Sequence, residues 1–385
     1  EIFKEDIISR EKDLSNTIKE SRILILGGAG TIGQSLAKEF FIRDPKTLDI
    51  VDISENNLVE LVRDIRSSEG YGKGSFNTYA LDINSRFFDA FIGSQKPYDY
   101  ICNLSAMKHV RSEKDPFSLM RMIETNIFNS LKCAKIAKSH KSKNYFAVST
   151  DKAANPVNLM GASKRIMEKF LINESKNLNV SMARFANVAF SDGSLLSGFN
   201  QRALKKQPIS APNDVLRYFL TPKESGQLCL LASIFGEKLD IFFPSQNEEM
   251  KLTPLSEVAK NFITNLGYEP IICSTEDEAR SKADALIAKM KWPLYLFSSD
   301  TTGEKLYEEF YMPDEVIDFT KFQNIGVIKS ALDINVDLLD LFTDKYIEMC
   351  ESEDSPSKEN IVDLFLDVLP ELNHEEKGRY LHDRM

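Results

Sequence analysis

The stretch that most restricts what this chain can fold into is Arg22-Ile-Leu-Ile-Leu26 running straight into Gly27-Gly-Ala-Gly-Thr-Ile-Gly33. A short apolar run suits a strand buried on both faces. Ile32, Leu36 and Phe40 then recur at helical spacing. The unit is strand, glycine turn, helix. In that order the N–H groups and the dipole of the helix start face a single point, where a pyrophosphate can sit. On its own the glycine spacing is a weak signal, because glycine turns are common. Its place between a strand and a helix strengthens it.

The pattern repeats. Strands are expected at Leu48–Val51, Phe76–Ala80, Tyr98–Leu104, Asn144–Ser149 and Asn179–Arg184, with helical stretches between them that include 116–139 and 158–175. Alternation of this kind predicts an α/β fold with a doubly wound parallel sheet of Rossmann type. The expected division is a leading helix and linker (1–21), a dinucleotide-binding domain (22–190), a smaller substrate-binding lobe (191–330) and an acidic helical extension (331–385). Asp52 follows Gly33 at the end of the second strand, where a carboxylate accepts hydrogen bonds from a ribose and repels a 2′-phosphate. NAD is therefore expected over NADP. The plain alternative for Asp52 is a solvated turn residue, and for Asp82, after the third strand, a helix cap.

Composition excludes several classes. Lysine and arginine number 48 against 58 acidic residues, a net charge of −10, which argues against a nucleic-acid partner. An anionic ligand would need local cations. Cys102, Cys133, Cys229, Cys273 and Cys350 form no Cys-x-x-Cys pair, and His109, His140, His374 and His382 show no metal-ligand spacing. No metal, no membrane span and a cytoplasmic location are the expectation. The chain opens on Glu1 rather than Met, so a removed upstream segment stays an open alternative.

Six segments carry a family resemblance: Gly27–Gly33, NLSAMKHV (103–110), STDKAANPVNLMGASKR (149–165), ARFANV (183–188), LRYFLT (216–221) and GEKLYEE (303–309). Over about 22–330 the chain resembles the extended short-chain dehydrogenases that act on nucleotide sugars, above all the UDP-N-acetylglucosamine 4,6-dehydratases of polysaccharide biosynthesis. That superfamily normally carries Tyr-x-x-x-Lys. Here the spacing is Met160-x-x-x-Lys164, as in one branch of the dehydratases. The resemblance implies a bound NAD, a UDP-linked N-acetylhexosamine as substrate and a homo-oligomer assembled through helices beside the catalytic one. The implied reaction oxidises C4, eliminates water across C5–C6 and returns the hydride to C6.

That chemistry needs an acceptor for the C4 hydroxyl proton, a base at C5 and an acid at O6. Asp151 is the candidate acid, and directly or through Thr150 it also takes the C4 proton. Lys152 is the candidate base, provided burial and a cationic neighbour lower its pKa. Lys164 is implied to bridge the nicotinamide ribose, Met160 to pack in the site without chemistry and Lys108 to lie near the reacting sugar. Asn126 is expected to hydrogen-bond to backbone at the site. Candidate cofactor contacts are Gly27, Gly30, Thr31, Ile32 and Gly33, then Asp52, Ser54 and Asn57, then Asp82 and Ile83, then Leu104, Ser105 and Ala106, and Lys164. By resemblance, Asn187 meets the diphosphate, Arg217 the phosphate or ribose side and Glu304 the nucleoside ribose, with Lys108 and His109 beside the sugar. The plain alternatives are a turn cap for Asp151, surface lysines for Lys152 and Lys164, a structural histidine for His109, an exposed helix polar for Asn126 and ordinary surface residues for Asn187 and Arg217. Departures lie in the substrate lobe: Asp300-Thr-Thr302 before GEK, KHVR, and AFSDGSLLSGF (189–199). Two rivals follow. A 4-epimerase or reductase needs no acid at O6 and normally keeps its tyrosine. A non-catalytic NAD-binding relative finds support only in Met160.

Overall fold

The computed structural model describes all residues except 247–249, 301, 330–333, 376–377 and 379–385. Six strands alternate with helices along the first half of the chain: β1 (Arg22–Leu26), β2 (Thr47–Asp52), β3 (Ser75–Ala80), β4 (Tyr100–Asn103), β5 (Asn144–Thr150) and β6 (Val180–Phe185). They lie in the order β3-β2-β1-β4-β5-β6, all parallel. β4, β5 and β6 read as unbroken buried runs except for Thr150 at the open end of β5, as strands covered by helices on both faces must. The Rossmann-type α/β sheet expected from the sequence is present. Strand Asp240–Pro244 adds in parallel beside β6, and Ile325–Lys329 and Val316–Asp318 close the edge antiparallel, giving nine strands.

The order reverses at β1, between β2 and β4. The carboxyl ends of the strands therefore open a crevice there, where doubly wound sheets bind ligands. Leu26 stands beside Val51 on one side and Asn103 on the other, so the glycine turn leaves the sheet at the crevice.

A second, smaller parallel sheet holds Glu269–Cys273, Lys291–Phe297 and Ile209–Pro212. It has its own core, in which Phe199, Ile209, Ile263, Trp292 and Leu294 are buried. From this unit Phe199, Ser210, Pro212 and Phe297 line the cleft described below.

Both ends of the chain pack on the main body. Helix Lys4–Lys19 is pinned through Asp6, whose carboxylate accepts the N–H groups of Gln323 and Asn324 at 2.7 and 2.9 Å. Near the other end, helices Val336–Glu351 and Lys358–Val368 bury Phe342 among Phe128, Phe170 and Phe365. They thus cover one face of helix Leu159–Glu174, the helix that carries Met160 and Lys164.

Candidate active site

Backbone geometry explains the glycine turn position by position. Gly27 has φ +71°, and a Cβ on it would lie 2.5 Å from Ser105 N. A Cβ on Gly33 would lie 2.4 Å from Gly27 O. Those two glycines are demanded by the fold itself. Gly30, which precedes helix Thr31–Phe41, is different: a Cβ there meets only Gly27 O, at 3.7 Å. The space it leaves lies in front of the uncapped helix N-terminus, so packing does not demand this glycine and the position is open to an anion. Asp52 holds the turn from below, accepting Ala29 N–H and Ser54 N–H at 2.9 Å each. Each carboxylate oxygen keeps a further lone pair for a ribose hydroxyl. The residues present therefore fit a dinucleotide.

The neighbouring candidates are mostly engaged in shaping the loops around that turn. Ser54 caps helix Glu55–Ser68 by accepting Asn57 N–H. Asp82 accepts Asn84 N–H at 2.9 Å, and the Ile83 side chain is in the core. Leu104 N–H bonds Leu26 O, and Ser105 donates to Asn103 Oδ1, bringing Ser105 and Ala106 beside Gly27. Thr31 Oγ1 accepts Asp192 N–H at 3.1 Å, tying the turn to loop 190–193.

The other half of the site begins where β5 ends. Thr150 caps the turn Asp151–Ala153 by accepting Lys152 N–H at 3.3 Å and donates to Asp151 Oδ1 at 2.9 Å. Lys152 Nζ donates to the same Asp151 oxygen at 3.0 Å and lies 3.5 Å from Glu308 Oε1. Burial acts to lower the Lys152 pKa, but Asp151 and Glu308 outweigh it and the net shift is upward. The sequence-based condition for Lys152 as a base, a lowered pKa, is thus not met in this state, because two carboxylates rather than a cation face the ammonium most closely. Lys164, by contrast, is lowered. Burial brings it down to about 8, against the pull of Glu168. Its Nζ bonds Val148 O at 3.0 Å.

The helix with Met160 and Lys164 is fixed at its start by Asn158, which accepts Gly161 N–H at 2.8 Å and donates to Gly303 O at 2.8 Å. Glu113 accepts Met160 N–H at 2.9 Å, and Met160 itself is buried. The expected helix over 116–139 is interrupted by a π-turn at Glu124–Phe128, the sort of irregularity that re-aims a side chain. It carries Asn126, which accepts Met107 N–H and donates to Met107 O and Ser163 Oγ, each at 2.9 Å. Asn126 thereby locks the loop after β4 to helix Leu159–Glu174.

Next to the Lys152 turn lies a cleft of about 890 Å³. Lys108, His109, Lys152, Asn187, Arg217 and Glu304 all line it, as do Arg111, Lys114 and Arg202. Six cationic side chains thus face three carboxylates, Asp115, Glu304 and Glu308. In a chain of net charge −10 that local excess suits an anionic ligand. Desolvation in the cleft wall lowers Lys108 and His109, Asp192 partly opposing the former. Arg217 is largely engaged with its own chain. Its guanidinium donates to Glu304 Oε1 at 3.1 Å and to the carbonyls of Leu216, Lys305 and Leu306. It orders the segment that carries Glu304 and Glu308. Glu308 had no sequence signal beyond its place in GEKLYEE. Among the described residues no group of three or more His, Cys, Asp or Glu side chains could hold a metal, and no helix is long and apolar enough to cross a membrane. His382 lies outside those residues.

The geometry agrees with what the chain is similar to. Residues 23–330 match the family described as polysaccharide biosynthesis protein. The uncharacterized membrane protein MJ1061 of Methanocaldococcus jannaschii is 27% identical over 82% of this chain and 88% of its own. The probable polysaccharide biosynthesis protein EpsC of Bacillus subtilis is 27% identical over 92% of this chain, which spans only 56% of EpsC. A UDP-glucose 4-epimerase of Rickettsia bellii is 29% identical over 67% of this chain and 79% of its own. Among solved structures, Pen of Bacillus thuringiensis superposes with a TM-score of 0.67 at 21% identity, over 91% of this chain and 98% of its own. The dTDP-glucose 4,6-dehydratase DesIV of Streptomyces venezuelae, with NAD bound, gives 0.56 at 15%, over 75% and 88%. With the family match covering most of its length, this chain belongs to the polysaccharide biosynthesis protein family.

Proposed function

We propose that the protein modifies a nucleotide sugar with NAD as its resident cofactor, and that it is a 4,6-dehydratase acting on UDP-N-acetylglucosamine. The observation that carries this reading is the cluster of Asp151, Lys152 and Glu308, of which Lys152 and Glu308 line the cationic cleft, with a helix next to it whose position 160 has no phenol. An epimerase needs no acid at O6, whereas a dehydratase does. We assign that acid to Asp151, which Thr150 and Lys152 both hold by hydrogen bonds.

Bound on the glycine turn, NAD supplies a hydride acceptor that is regenerated within each turnover. The open face of Gly30 admits its pyrophosphate, Asp52 takes its ribose hydroxyls and Lys164 stands ready for the nicotinamide ribose. Asp151, hydrogen-bonded to Thr150, receives the C4 hydroxyl proton and later delivers a proton to O6. Lys152 enters as an ammonium. It therefore stabilises the negative charge that builds on the C4 oxygen when C5 loses its proton. To act as the base at C5 it must first pass its proton to Asp151 or Glu308, both within ion-pair reach. The 4-epimerase reading retains the same two ligand sites, and relatives bearing that name favour it. Mass spectrometry of UDP-N-acetylglucosamine incubated with the protein separates the two. A product lighter by one water supports dehydration, and an isomer of unchanged mass supports epimerisation.

A further inference from the structure

Glu308 is 4% exposed, yet it lines the cleft. Its Oε1 faces Lys152 Nζ at 3.5 Å and Arg217 Nη2 at 3.8 Å. Its Oε2 is buried without a hydrogen-bond partner among the described residues. Buried carboxylate oxygens are ordinarily satisfied, and one left alone carries a desolvation penalty that an incoming donor removes.

The backbone that carries this side chain is held on both sides. Asn158 holds Gly303 O, Arg217 holds the carbonyls of Lys305 and Leu306, and Lys305 Nζ reaches Ala154 O at 3.2 Å. On the far side, Asn155 Nδ2 holds Glu309 and Arg184 holds Phe310 O. Glu308 is thus presented to the cleft by a segment anchored at both ends.

We infer that Glu308 is a substrate-binding residue whose Oε2 accepts a hydrogen bond from a hydroxyl or acetamido N–H of the sugar, an assignment that rests on the nucleotide-sugar reading above. Charge selects that end of the ligand. A phosphate would be repelled by a carboxylate oxygen, whereas Lys108, Arg111, Lys114 and Arg202 offer cations along the same cleft. The diphosphate lies toward those cations, and the sugar lies against Glu308, Lys152 and Asp151. Oε1 meanwhile keeps the ammonium of Lys152 turned toward the same ring.

The test is calorimetric titration with UDP and with UDP-N-acetylglucosamine, in an NAD-loaded Asp151→Asn background where NMR verifies that the sugar is not converted. Glu308→Ala is expected to weaken UDP-N-acetylglucosamine by about tenfold or more, the scale for a hydrogen bond to a charged group, and to leave UDP unchanged. Glu308→Gln, which retains an acceptor oxygen, should fall between. Equal affinity for the sugar nucleotide in all three proteins would overturn the assignment. So would a parallel loss of UDP, which would mark Glu308 as merely structural. If the parent binds UDP and NAD but no sugar nucleotide, the nucleotide-sugar reading itself fails, and the assignment with it.

Discussion

The three glycines that matter in the turn make opposite demands, and alanine tells them apart. A Cβ on Gly33 meets Gly27 O at 2.4 Å and Gly28 Cα at 2.6 Å, while one on Gly30 meets nothing closer than 3.7 Å. Overpacking costs about 1–3 kcal/mol, and the obstacles at Gly33 are backbone atoms with no rotamer to change, so the upper end applies. Gly27→Ala adds a left-handed φ to a similar clash. Gly30→Ala loses only the advantage of glycine over alanine at a helix N-cap, about 0.5–1 kcal/mol. Its methyl group instead fills the space before the helix N-terminus. Gly30→Ala should therefore unfold in urea close to the parent yet retain at most about a tenth of the bound NAD, since the phosphate can no longer approach the backbone. Gly33→Ala should lose stability first and NAD as a consequence. The assay is urea denaturation alongside the NAD released per chain by acid. A Gly30→Ala protein that purifies with full NAD, or a Gly33→Ala protein as stable as Gly30→Ala, would refute the reasoning.

Three further perturbations have definite signs. Lys164 has a folded pKa of about 8, below its unfolded value, so between the two the unfolded chain holds more protons and stability rises with pH. In cofactor-stripped protein, the unfolding free energy from urea titrations should climb across that window by an amount on the order of 3 kcal/mol, and Lys164→Met should abolish the climb. Arg184 is fully buried, paired with Glu168 at 2.8 Å and with Glu315 at 2.7 Å. Arg184→Met leaves Glu168 and Glu315 sharing the single guanidinium of Arg165 and should cost about 3 kcal/mol, the lower end for breaking a buried pair, by urea denaturation at neutral pH. Asp151→Asn and Lys152→Ala should each lower turnover by about 10²- to 10⁴-fold, and the double variant should fall by far less than their product, because the two groups act as one unit.

Local signals were legible in the sequence. Strand, glycine turn and helix announced themselves because each is a pattern over a few neighbouring residues, and the same holds for the place of Asp52 at the end of β2. Long-range balances were not legible. The Lys152 pKa depends on Glu308, far along the chain, and only folding brings the two within 3.5 Å. Arg217 looks like an anion fork in isolation, but in space it meets four polar groups of its own chain. The strands Val316–Asp318 and Ile325–Lys329 lie in a stretch without alternation strong enough to assign them, and their partner Asp240–Pro244 supplies the context.

The most direct test follows the sugar by NMR while NAD-loaded protein acts on UDP-N-acetylglucosamine in deuterated water. Dehydration through the Asp151, Lys152 and Glu308 cluster predicts loss of the C4 proton signal, deuterium at C5 and a new C6 methyl resonance. A sugar that changes only its C4 configuration, or one that stays unchanged with NAD demonstrably bound, would contradict it.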